Sequence, residues 1–287
     1  GDATAVGQLE ALYTAGEQWD DLVYLLERKK DWAEAPDDKA AALVQMARVY
    51  RDQMDDVDNA IGAYERVLDE APGHGEALDT LEELYETQDL WGMVIRTIDR
   101  KLSVGGEVQL RLDLMCKQGR IAADEMGNPD GAAKHYDAAL AERPGHPAAI
   151  DPLIALYRED ERWEKVVETL GRKLEALEDL QAQCVVHVQI ATAWRERLFD
   201  EGKALEHLEA AVEADPLSQD ALRPLATHYM THQEWVKAHP LLENLVDILA
   251  EGEDLHARAD AHKQLARCRE ALLDDDGALD QYSLAEA

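Results

Sequence analysis

Apolar positions recur along this chain at the three- and four-residue spacing of one helix face. Leu78, Leu81 and Tyr85 form one stripe, a polar turn runs from Glu86 to Leu90, and Trp91, Val94, Ile95, Ile98 and Leu102 form the next. Gly105-Gly106 then stops the helix. Upstream, Leu43, Met46, Ala47 and Tyr50 are followed by Ala60, Ile61, Tyr64, Val67 and Leu68, and Pro72-Gly73 closes the pair. Each piece of about 36 residues is predicted to be a helix, a turn and an antiparallel helix. No run shows the two-residue alternation of a strand.

A longer period lies over this one. Trp19, Trp91, Trp163 and Trp235 are each 72 residues apart, and so are Tyr13, Tyr85, Tyr157 and Tyr229. Leu9, Leu81, Leu153 and Leu225 keep the step, as do Ala5, Ala77, Ala149 and Ala221, and Pro72, Pro144 and Pro216. Four units of 72 make 288, nearly the whole chain of 287 residues. A single hairpin cannot cover both of its stripes, whereas stacked hairpins cover one another along a continuous core. The expected architecture is therefore all-α: one solenoid over 1–287, built of four units, 1–72, 73–144, 145–216 and 217–287, and about eight hairpins. The Trp series, set in the apolar stripes, is read as core.

These residues resemble the tetratricopeptide repeat. Leu43, Met46, Ala47, Tyr50, Ala60, Tyr64, Leu68 and Pro72 match its pattern, and so does the second helix of Ala132, Tyr136, Ala139, Leu140 and Pro144. The alternation of Trp-type and Pro-type hairpins looks like that of long bacterial arrays of this family. The chain departs from the pattern at Lys29, Lys101 and Lys173, where a small core residue is usual, and at Glu10 and Glu82. The lysine stems are expected to lie along the core with their amines reaching solvent.

The resemblance implies a non-catalytic protein-interaction scaffold whose first helices line a concave groove for a peptide or helix. Carried onto this chain, the lining positions include Arg48 and Arg51 with Val44, then Glu76, Asp79, Glu83 and Glu86 on one face of the next first helix. Arg120 follows with Asp113 and Cys116, and Arg195 with Val188 and Thr192. An acidic strip flanked by arginines results. The plain alternative is that these charges pair with each other as a solvated surface. The family's clamp for a C-terminal carboxylate is not expected, because Asn59, Asn128 and Asn244 all miss the lining positions.

Charge sharpens the expected partner. Sixty-one acidic against twenty-nine basic residues give a formal net charge of −32, which repels nucleic acid and anionic membrane and favours another protein with a basic segment. No apolar run approaches the ~18 residues of a membrane span, so no direct membrane insertion is expected. No signal peptide is visible, and a cytoplasmic location is expected, although a chain opening Gly1-Asp2 leaves room for a missing targeting segment. Cys116, Cys184 and Cys268 show no metal-ligand spacing and read as reduced, buried thiols.

The remaining candidate chemistry is thin. His228 and His232 have the i, i+4 spacing that can chelate a metal, but sequence fixes no third ligand and H-E-x-x-H is absent. His228 also occupies the position of Leu84 and Leu156, so no metal is expected. Asp274-Asp275-Asp276-Gly277 lacks the ligand spacing of a calcium loop and reads as a turn and helix cap. Arg28-Lys29, Arg100-Lys101 and Arg172-Lys173 sit near helix C-termini, where cations complement the dipole. No phosphate loop or nucleophile motif appears, and neither cofactor nor catalytic residues are expected. The counterpart of Pro72 in the last unit falls at 290, past Ala287, with no polar cap before it. The chain is thus expected to be excised from a longer array or to self-associate through its terminal repeats. A structural array that stacks end to end, without a discrete ligand, is the alternative to the scaffold.

Overall fold

The computed structural model describes residues 3–250 and 254–286. Sixteen α-helices are present among them and no strand. In order they are α1 Ala3–Ala15, α2 Trp19–Trp32, α3 Pro36–Asp52, α4 Val57–Glu70, α5 Gly75–Thr87, α6 Trp91–Val104, α7 Val108–Arg120 and α8 Pro129–Glu142. These are followed by α9 Pro147–Glu159, α10 Trp163–Glu175, α11 Leu180–Glu196, α12 Glu201–Ala214, α13 Gln219–Thr231, α14 Trp235–Ala250, α15 Leu255–Ala271 and α16 Asp275–Glu286. A short π-helical stretch, Ile121–Glu125, prolongs α7. The chain is an all-α helical-repeat solenoid, as its periodicity predicts.

It divides into two compact units, Gly1–Glu142 and Arg143–Ala287, with the boundary two residues before the 72-residue register mark at Pro144. In the first unit, consecutive helices pack on each other around Leu26, Leu43, Tyr64, Leu81 and Ile98, all 2% exposed or less. In the second, Leu222, Leu242 and Leu265 play that part, again at 2% or less.

The hairpin turns follow one rule. Each first helix is separated from its second by a single residue with positive φ: Glu17, Asp55, Asp89, Gly127, Glu161, Phe199, Gln233 and Leu273. A left-handed residue at C′, or one position later after α3 and α11, ends the first helix and turns the chain back. Only one of the eight is the glycine that this conformation favours, which is why the rule is invisible to a search for glycine. Every other second helix, α4, α8, α12 and α16, then starts on a capping side chain. Asp56, Asn128, Asp200 and Asp274 accept from the backbone N–H three residues on, at 2.9–3.1 Å. The first three keep the 72-residue step and Asp274 falls two later, so the last unit carries two extra residues before it. The Asp274 segment is the predicted turn and cap.

The Trp series sits elsewhere than expected. Trp19, Trp91, Trp163 and Trp235 are each the first residue of a second helix and are half-buried at the edge of the core rather than inside it. A side chain in the first turn covers the end of the stripe and leaves part of its ring to solvent. The 72-residue positions inside the core are Leu26, Ile98, Leu170 and Leu242.

Each lysine amine finds an acid on the preceding first helix, and Lys101, at 17% exposure, stays largely out of solvent rather than reaching it as expected. Lys29 pairs with Glu10 at 2.7 Å and Lys173 with Asp151 at 2.7 Å. Lys101 pairs with Asp79 at 2.6 Å and Glu82 at 2.5 Å. The two departures from the family pattern therefore compensate each other. In the last unit Leu245 and Ala226 replace the pair, both buried.

Candidate functional site

In the first unit, the nominated side chains come from three successive first helices: Arg48 and Arg51 on α3, Glu76, Asp79, Glu83 and Glu86 on α5, and Arg120 on α7. Cross-helix bonds show that they share one surface. Arg48 grips Glu76 with two hydrogen bonds of 2.5–2.6 Å, and Arg51 donates to Thr80 at 3.5 Å. Lys117 of α7 reaches Glu82 at 2.5 Å and also pairs with Glu86. Of the nominated charges only Arg48 and Glu76 pair with each other, while Asp79 and Glu86 are met by Lys101 and Lys117. The guanidinium of Arg48 holds the Glu76 carboxyl below its usual range.

Some nominated charges stay open. Glu83 and Arg120 are exposed and take no ion pair among the described residues, and the Asp79 side chain is 75% exposed despite its lysine. Arg120 lines a cleft of about 280 Å³ with Glu86, Trp91, Lys117 and Asp124. Val44, nominated as lining, is buried at 6% and serves the core. Cys116 is half-buried, and burial pushes its thiol up before nearby Asp113 adds to the effect. Lys117 was missed in the sequence because it belongs to no repeated series, and only the fold shows it meeting α5.

Arg195 lies on α11 of the second unit. It pairs with its neighbour Glu196 at 3.1 Å and lines a small cavity of about 130 Å³ beside Glu201 and His228. Val188 and Thr192 face a separate cleft of about 270 Å³ walled by Trp163, Arg158 and Arg197. Arg197 stacks over the Trp163 ring, 4.7 Å from its centroid.

Residues 41–74, most of α3 and α4, match a family model described as Tetratricopeptide repeat. That segment is a tetratricopeptide repeat. This fold serves generally as a protein-interaction scaffold, and the family is generally non-catalytic. Solved tetratricopeptide structures resemble it. YrrB, "a TPR protein with an unusual peptide-binding site", is 14% identical at a TM-score of 0.35, covering 64% of this chain and 91% of that one. MamA is 19% identical at 0.41, covering 61% and 89%. The C-terminal part of a repeat protein from Cytophaga hutchinsonii is 12% identical at 0.40, covering 96% and 98%. Comparison with curated protein sequences gives no match. Among the described residues, no helix is long and apolar enough to cross a membrane.

One half-buried pair escaped the sequence reading. His187 on α11 and His207 on α12 meet Nδ1 to Nδ1 at 2.9 Å, so one ring donates and the other must be neutral to accept. Burial holds both below the usual histidine value; His207 adds to this for His187, while Glu206 opposes it for His207. A base whose folded pKa is depressed stabilises the fold above its unfolded pKa of 6.5 and loses that stability as pH falls below it. The urea midpoint should therefore drop between pH 7.5 and 5.5, and His207→Phe should flatten that drop. Identical pH profiles for the two proteins would contradict this.

Proposed function

We propose that the first unit docks a basic segment of another protein along the row formed by α3, α5 and α7. The observation that supports it is the continuity of that row: lining side chains of three consecutive first helices touch across the helix boundaries. Glu83 stands open to a guest cation and Asp79, though paired with Lys101, is 75% exposed beside it, while Arg48, Arg51 and Arg120 fix the flanks. The internal pairs are no obstacle. Arg48 and Glu76 are 53% and 34% exposed, and exposed ion pairs contribute only about 0–1 kcal/mol, so a guest lysine or arginine can exchange with them. Arg195 offers a corresponding cation in the second unit.

Binding of a labelled oligolysine peptide to the full chain tests the reading by fluorescence anisotropy. Affinity should fall as salt rises, since exposed charges are screened over ~10 Å at 0.1 M. Glu83→Lys combined with Asp79→Lys should weaken binding by roughly 5–30-fold, the equivalent of about 1–2 kcal/mol. Equal binding to both proteins would put the site elsewhere. A second reading, end-to-end self-association, draws support from Leu273, Leu279 and Leu284 near and on α16, which are 51–90% exposed. A sedimentation coefficient that rises with concentration would favour it.

A further inference from the structure

We infer that Glu201, His228 and His232 form a divalent transition-metal site, suited first to Zn²⁺, that clips α12 to α13. One ligand atom from each residue lies within 4.8 Å of the other two. His228 and His232 are one turn apart on α13, with ring centroids 4.2 Å apart. Glu201, the first residue of α12, brings Oε1 to 3.2 Å from His228 Nδ1. The third ligand that the sequence did not supply is thus delivered by the neighbouring hairpin, 27 residues upstream.

The surroundings suit a metal. His232 Nδ1 lies 2.9 Å from the His228 carbonyl oxygen. A carbonyl only accepts, so Nδ1 carries the proton and Nε2 keeps its lone pair, the arrangement by which backbone carbonyls orient metal-binding imidazoles. Two imidazoles and one carboxylate match Zn²⁺, with water in the fourth position, and are a poor set for Mg²⁺ or Ca²⁺, which take oxygens. Ligand atoms around zinc, with bonds of 2.0–2.1 Å, stand about 3.3 Å apart. Glu201, 64% exposed, and the exposed His232 can close that gap by side-chain rotation. Arg195 lines the adjoining cavity but is engaged by Glu196.

The repeat shows that the fold does not require this trio. The positions equivalent to His228 hold Leu84 and Leu156, those of His232 hold Gln88 and Asp160, and those of Glu201 hold Val57 and Pro129. The constellation occurs once, in the hairpins where α12 meets α13.

Calorimetric titration of the full chain with ZnCl₂, paired with Co²⁺ absorption in the visible, tests the assignment. One equivalent should bind, with the intense visible bands of tetrahedral Co²⁺, and zinc should raise the thermal midpoint. Glu201→Gln and His232→Ala replace exposed side chains and should leave the metal-free midpoint unchanged. They should weaken zinc binding by at least about tenfold and roughly a hundredfold, respectively. Absence of binding at micromolar zinc would overturn the assignment. So would equal affinity in wild type and His232→Ala, which would send the ion to other histidines.

Discussion

Ile98→Ala should cost about 2–5 kcal/mol of stability, more than Trp91→Ala at the head of the same helix. Ile98 is fully buried, as are its register mates Leu170 and Leu242, so truncation leaves a cavity that the packed neighbours of α5 and α6 cannot refill. Trp91 removes more atoms on truncation, yet part of its ring already faces solvent. Its loss forfeits less burial and opens a surface dent that water fills, an effect of about 1–3 kcal/mol. Urea unfolding of the two variants side by side measures the order. If Trp91→Ala proves the more damaging, the tryptophans carry the stack and the buried aliphatic series does not. Because each hairpin leans on its neighbours, the loss is expected to appear first as local opening around α6 rather than as one global transition.

The sequence made the helices, their pairing and their number readable, because the apolar stripes and the 72-residue series both repeat. What it hid was whatever depends on partners outside the local period. The left-handed residues at the turns carry eight positions of mixed identity, so no single residue type marks them. The tryptophans shared the stripe's register, yet register alone does not tell a first-turn position from a mid-helix one. The nominated charges could be assigned to first helices, but their pairing with Lys101 and Lys117 needed the distance between α5, α6 and α7. Glu201 was likewise invisible as a companion to the histidines, since 27 intervening residues separate it from His228.

Glu82→Ala should destabilise the first unit by roughly 2–4 kcal/mol, out of proportion to a single glutamate. Glu82 is only 7% exposed and sits between two ammonium groups, with Lys101 and Lys117 each at 2.5 Å. Burial works to lower the pKa of Lys101, but hydrogen bonds to Asp79 and Glu82 outweigh it, and the net result is an ammonium held above its usual value. That contribution is present in full below pH ~10.4 and is lost as pH rises through the folded value. Removing Glu82 strips both lysines of a partner while leaving them largely desolvated, at 17% and 29% exposure. The repeat supplies the control, because the fourth unit builds the same place from Ala226 and Leu245, and Ile154 stands at the Glu82 position of the third. Replacing a buried ion pair by apolar residues of similar volume is often neutral. The double variant Glu82→Ile/Lys101→Leu, with Lys117 kept on Glu86, should therefore recover most of the loss and fall within about 1–2 kcal/mol of wild type. Comparing the singles with the double by urea unfolding gives the coupling directly. Additive losses in the double variant would mean that Glu82 and Lys101 act separately and that the charge network does not hold α5, α6 and α7 together.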